Sequence, residues 1–178
     1  QIWNVPETAK EQKRAGRKKM KILSIAVPCY NSEAYMEKAI NSILVGGEDV
    51  EIIVVNDGSK DGTQKIAERY QEKYPTIVKA VEKENGGHGD AVNCGLAHAT
   101  GKYFKVVDSD DWVTPDATRM MVSAAEHSSC DMVITHFFRV NHDKIRRKGH
   151  IKEYEVMTRE GFAEHMMEKP ANFYYGVM

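Results

Sequence analysis

From Lys21 onward, short β-branched runs alternate with stretches whose apolar side chains recur every three to four positions, and this alternation restricts the fold more than any other feature. "ILSIAVP" (Ile22 to Pro28) and "VEIIVVN" (Val50 to Asn56) read as buried strands, closed by Pro28 and by the turn "NDGS". Between them Tyr35, Ala39, Ile40, Ile43 and Leu44 follow the helical repeat, with Asn31 or Ser32 as cap and Gly46-Gly47 as stop. The pattern continues with a helix from about Gly62 to Tyr74, a strand from Ile77 to Val81 and a helix from about Asp90 to His98. After these come a strand in "KYFKVVD", a helix opened by Pro115 and a strand in "CDMVITHFF". Such spacing predicts an α/β fold, an open and mostly parallel sheet with helices on both faces and right-handed crossovers.

In open α/β sheets the ligand crevice lies beyond the carboxyl ends of the strands. The segments that follow the first four predicted strands are "PCYN", "NDGSKDGT", "KENGGHG" and "DSDDW", all polar, glycine-rich or acidic. Their convergence on one sheet edge predicts a site there.

Each motif also has a plainer reading. In "NDGSKDGT", Asp57 is an acceptor suited to an imide or amide N–H of a base, and equally an ordinary Asp-Gly turn residue; Asp61 or Thr63 is a helix cap. Gly86, Gly87 and Gly89 let backbone N–H groups approach a phosphate or hydroxyl, yet the loop matches neither the P-loop nor the dinucleotide fingerprint. His88 is a ligand-facing group or an exposed loop histidine. "DSDDW" packs Asp108, Asp110 and Asp111 into four positions behind an apolar strand. Capping accounts for one carboxylate but not three, and like charges this close call for an offset such as a divalent cation.

Composition narrows the classes. The formal net charge of −1 leaves no global field for nucleic acid. Cys29, Cys94 and Cys130 are odd in number and widely spaced, which fits neither a disulfide framework nor a zinc site and points to a reducing, cytoplasmic compartment. No apolar run approaches the roughly 20 residues of a membrane span. Residues 7–21 hold seven Lys or Arg against two Glu, including Lys10, Lys13, Arg14 and Arg17, and read as a solvated basic arm.

Taken together, "VPCYNSEAYMEKAINSIL", "EIIVVNDGSKDGT", "NGGHGDAVNCGL" and "GKYFKVVDSDDW" resemble the family 2 glycosyltransferases, in that family's order and spacing from Ile22 to about Phe138. The resemblance implies an A-type glycosyltransferase fold and an inverting, metal-dependent transfer from a nucleotide-diphosphosugar, most simply a UDP-sugar, to a saccharide or lipid-linked acceptor. By position it implies that Pro28, Tyr30 and Asn31 line the base and ribose and that Asp57 faces the base. The loop of Gly86, Gly87, His88 and Asp90, with Asp108 and Asp110, would complete the donor site, and Asp110 and Asp111 would hold Mn²⁺ or Mg²⁺.

Two departures accompany the resemblance. Val92 stands where many relatives carry Arg, and no Asp after Asp111 sits in the context of the family's general base, which is therefore expected beyond Met178. The expected organisation is a basic arm over 1–20, a nucleotide-sugar domain over 21–140 and the start of an acceptor region over 141–178. A longer protein of this kind could associate peripherally with the inner face of a membrane. Arg139, Lys144, Arg146, Arg147 and Lys148 read as a solvated charge run, and Phe162, Met166 and Met167 as core. Two other classes compete: a non-catalytic nucleotide-sugar-binding or interaction module, and a sugar nucleotidyltransferase. The latter would need a basic glycine-rich loop where "PCYNSEAY" stands.

Overall fold

In the computed structural model the β-branched runs become strands β1 (Leu23–Cys29), β2 (Val50–Asp57), β3 (Val78–Lys83) and β4 (Tyr103–Val106). They lie in the order β3-β2-β1-β4, every neighbouring pair parallel. The structure describes residues 20–127, 129–141, 144–148, 156–168 and 176–177, which form two compact units divided between 127 and Ser129.

Every residue of β1 is buried, and every residue of β2 except Glu51, the pattern of strands covered on both faces. Helices α1 (Met36–Leu44), α2 (Thr63–Lys73), α3 (His88–His98) and α4 (Pro115–His127) complete the first unit. On one face α3 sets Ala91 over Ile53 and Val55. The contact is close at Gly95, where an added Cβ would come within 2.5 Å of the Ala26 Cβ. Because side chains alternate along a strand, Ile52 and Val54 point to the opposite face, where they are equally buried. Removing each of these side chains from water stabilises the fold by on the order of 2 kcal/mol.

Three boundaries differ from the sequence reading. Pro28 lies inside β1 rather than closing it, beyond the last β1–β4 pair, Ala26↔Val106, where the strand has a neighbour on one side only. Neither Asn31 nor Ser32 caps α1, which begins a turn later behind Tyr35; the Ser32 carbonyl accepts the Tyr35 and Met36 N–H groups at 3.1 and 3.0 Å. Gly62 occupies the cap position of α2, and it is Asp61 Oδ1 that accepts the Thr63 N–H at 3.0 Å.

The second unit contains β5 (Ile134–Thr135), β6 (Phe137–Asn141), β7 (Lys144–Lys148), α5 (Arg159–Glu168) and β8 (Gly176–Val177). The run expected as one more strand of the sheet is split into β5, antiparallel to β8, and β6, antiparallel to β7. A local hairpin needs no crossover, so β6 pairs with the segment that follows it at once. The basic run is thus largely strand β7. Phe162 is half-buried. The expectations for the arm over 1–19 and for the side chains of Met166 and Met167 lie outside the described residues.

Candidate active site

The carboxyl ends of the four parallel strands open onto a cleft of about 490 Å³, a volume typical of small-ligand sites. Each strand contributes to its wall. Pro28 and Cys29 end β1 and Tyr30 follows it; Asp57 ends β2; Asn85 and Gly87 lie between β3 and α3, and His88 and Ala91 in the first turn of α3; Asp108, Ser109 and Asp110 follow β4.

Asp57 organises one side. Parallel pairing places it opposite Lys83 on β3, whose ammonium lies 2.7 Å from Asp57 Oδ1. The same oxygen accepts the Gly86 N–H at 2.9 Å, and Oδ2 accepts the Gly87 N–H at 2.8 Å. Burial pushes the Asp57 carboxyl up, but Lys83 and the two amides together outweigh it and hold the group below the ordinary carboxylate value. Lys83 also reaches Asp90 Oδ2 at 2.6 Å, tying the first turn of α3 to the end of β3. Asn85 Nδ2 donates to the Asp57 carbonyl at 2.9 Å. Gly58, with φ of 69°, lets this loop approach so closely that a Cβ there would lie 2.8 Å from the Asn85 nitrogen.

The acidic segment forms the other side. Asp111 N–H donates to the Asp108 carbonyl at 3.0 Å, closing a turn over the acidic segment. Burial, and then the charges of Asp110 and Asp108, push the Asp111 carboxyl up. Ser109 Oγ is buried and shares a hydrogen bond of 3.0 Å with Ser32 Oγ, joining this turn to the loop after β1. Across the cleft mouth, His88 Nε2 stands 2.8 Å from Asp108 Oδ1.

Of the residues singled out in the sequence, Pro28, Tyr30, Asp57, Gly87, His88, Asp108 and Asp110 meet on the wall. Asn31, Gly86, Asp90 and Asp111 are not on it. Asn31, in the left-handed region at φ of 49°, accepts the Lys60 N–H at 2.9 Å and fixes the loop after β2. Among the described residues no three His, Cys, Asp or Glu side chains form a metal-binding group, so the carboxylates of "DSDD" do not make a complete protein cage. Sequence reasoning missed Lys83, Asn85, Ser109 and Cys29 as site residues. Lys83 and Asn85 both lie in the quoted segment "KENGGHG", but it is the strand register that sets Lys83 beside Asp57. Cys29 lines the floor, its thiol pushed up to about 12 by burial, which makes it a poor nucleophile.

The chain is similar to known proteins in sequence and in fold. The model of the family described as glycosyl transferase family 2 matches residues 24–177. EpsJ, an uncharacterized glycosyltransferase of Bacillus subtilis, is 36% identical over 124 residues, which is 69% of this chain and 36% of that protein. The minor teichoic acid biosynthesis protein GgaB of the same species is 40% identical over 94 residues, 51% of this chain and 10% of that protein. Among solved structures, S. aureus TarS 1-349 in complex with UDP-GlcNAc is similar with a TM-score of 0.61 at 30% identity, covering 70% of this chain and 37% of that one. The mannosyltransferase PcManGT from Pyrobaculum calidifontis, in complex with GDP-Man and Mn²⁺, is similar with a TM-score of 0.51 at 25% identity over 66% of this chain and 39% of that one. This chain therefore spans between about a tenth and two fifths of the length of these relatives. With four post-strand loops gathered at one edge of a parallel sheet, and with the family pattern running through nearly all of the two units, the chain belongs to glycosyl transferase family 2.

Proposed function

We propose that the chain binds the donor for an enzyme that moves a sugar from a nucleotide-diphosphosugar, a UDP-sugar foremost, to a saccharide or lipid-linked acceptor with inversion. The process served would be polysaccharide or cell-surface glycan synthesis, on the cytoplasmic side and at the inner face of the membrane when the acceptor is lipid-linked. One observation carries this reading: the cleft at the strand ends is walled on one side by a base-type acceptor, Asp57, and on the other by the acidic turn. TarS, whose complex holds UDP-GlcNAc, supports the donor class, and GgaB, named for teichoic acid biosynthesis, supports the process.

In this reading Pro28, Tyr30 and Asn31 form the base and ribose end, with Asp57 presenting an acceptor to a base N–H. The loop of Gly86, Gly87, His88 and Asp90 shapes the middle, and Asp108 and Asp110 meet the ribose and diphosphate. Asp110 and Asp111 are the candidate holders of Mn²⁺ or Mg²⁺. The donor set fits such an ion: hard divalent cations are commonly held by one or two carboxylates, with substrate phosphates filling other positions. Burial first, and then the charges of Asp110 and Asp108, raise the Asp111 carboxyl, and a cation in the turn would offset the second of these causes. A divalent cation bound there would supply stabilisation of the charge that develops on the departing nucleoside diphosphate. The protein's own task is to orient the diphosphate along the acidic turn and to hold the base against Asp57.

Calorimetric titration of UDP-GlcNAc with and without Mn²⁺ tests the reading. Metal-dependent binding is expected. Absence of binding under both conditions, extended to the other common nucleotide sugars, would overturn it in favour of an interaction module.

A further inference from the structure

The two oxygens of Asp57 are not equally occupied. Among the described residues, Oδ1 accepts both the Lys83 ammonium and the Gly86 N–H, at 2.7 and 2.9 Å, whereas Oδ2 accepts only the Gly87 N–H, at 2.8 Å. An ionised carboxylate offers about four acceptor positions, two on each oxygen. Three are filled, so a single position remains, on Oδ2, in a residue that is 3% exposed and lines the cleft. Lys83 is fully engaged as well. Its ammonium has three N–H donors, and it meets Asp57 Oδ1, Asp90 Oδ2 and the Glu84 carbonyl. No donor is left for a ligand, so Lys83 acts on the cleft only through Asp57.

We propose that Lys83 is a specificity-determining positioning residue: by helping Gly86 fill Oδ1, it turns Asp57 into a one-acceptor site that selects a base with a lone imide N–H, as in uracil, against guanine. Guanine presents two adjacent donors, N1–H and the exocyclic N2–H, which a carboxylate receives with both oxygens. Here the second donor would be desolvated without a partner, a penalty that weakens binding roughly tenfold or more. Uracil has one donor between two carbonyl oxygens and leaves nothing unpaired at Asp57. The inference rests on the reading of the cleft as the nucleotide site and adds which residue decides the base and how.

The test uses three probes on the unaltered chain with Mn²⁺ present: UDP, N3-methyl-UDP and GDP, each titrated by calorimetry. UDP should bind roughly tenfold or more tightly than either of the others. Lys83→Met removes one of the two bonds to Oδ1 and should narrow the UDP-to-GDP ratio severalfold, while Lys83→Arg, which keeps a cation beside Asp57, should restore it. A merely structural lysine would change all affinities in proportion and leave the ratio alone. Equal binding of UDP and N3-methyl-UDP, or of UDP and GDP, by the unaltered chain overturns the inference while leaving the donor-binding reading intact, and needs no variant to fold. An unchanged ratio in a folded Lys83→Met variant likewise overturns the role of Lys83. Failure of every nucleotide to bind overturns both.

Discussion

His88 Nε2 lies 2.8 Å from Asp108 Oδ1, so a residue at the start of α3 is linked to the residue that begins the acidic turn, 20 positions away. The two side chains are 65% and 49% exposed, and exposed ion pairs or hydrogen bonds of this kind contribute at most about 1 kcal/mol. His88→Ala should therefore leave the midpoint of urea unfolding almost unchanged. Binding of a UDP-sugar, by contrast, should weaken about fivefold, the loss of one hydrogen-bonding wall group. A large stability loss would show that the contact is structural.

Asp111 crowds Asp110 and Asp108, and its carboxyl is raised by burial and then by those charges. A carboxyl whose folded value is raised disfavours the folded state when ionised. Asp111→Asn should thus be no less stable than the parent in thermal melts at neutral pH. The same variant should lose the Mn²⁺ dependence of nucleotide binding, so unchanged metal dependence would remove Asp111 from the metal site.

Asp57 shows the opposite sign. Its folded value is depressed, so the stability it contributes is fully present above the ordinary aspartate value of about 3.9 and is lost as pH falls further, through the lower folded value. Asp57→Asn should cost about 2 kcal/mol at pH 7, because a buried charged acceptor of three hydrogen bonds is replaced. Melts between pH 7 and 2 should show parent and variant converging below about pH 4. Parallel curves across that window would contradict the assignment.

Gly58 couples the two loops on the Asp57 side of the cleft. An alanine there would need φ of 69° and would drive its Cβ to 2.8 Å from the Asn85 nitrogen. Gly58→Ala should destabilise by about 1–3 kcal/mol and also weaken UDP binding, since Asn85 and Gly87 move with the loop. Loss of stability with unaltered UDP affinity would separate the loop from the site.

Much of the site was legible because chemistry-bearing residues follow each strand directly. "NDGSKDGT", "KENGGHG" and "DSDDW" are recognisable as post-strand loops without coordinates, and the fold class brings them to one edge. Pro28, Asn31 and Ser32 were read less well. Local propensity suggested a strand end and a helix cap, whereas the structure uses Asn31 and Ser32 to bond the neighbouring loops at Lys60, Thr63 and Ser109.

The amino-acid sequence determined by itself the alternation of elements, the parallel sheet and the edge at which polar groups would gather, because periodicity and turn chemistry act over a few residues. Only the tertiary structure decided which groups meet. Lys83 stands beside Asp57 because β2 and β3 are neighbours in register, and His88 reaches Asp108 because α3 and the β4 loop open onto the same cleft. How many acceptor positions Asp57 has left depends on contacts spanning 26 to 30 residues, which no local pattern encodes.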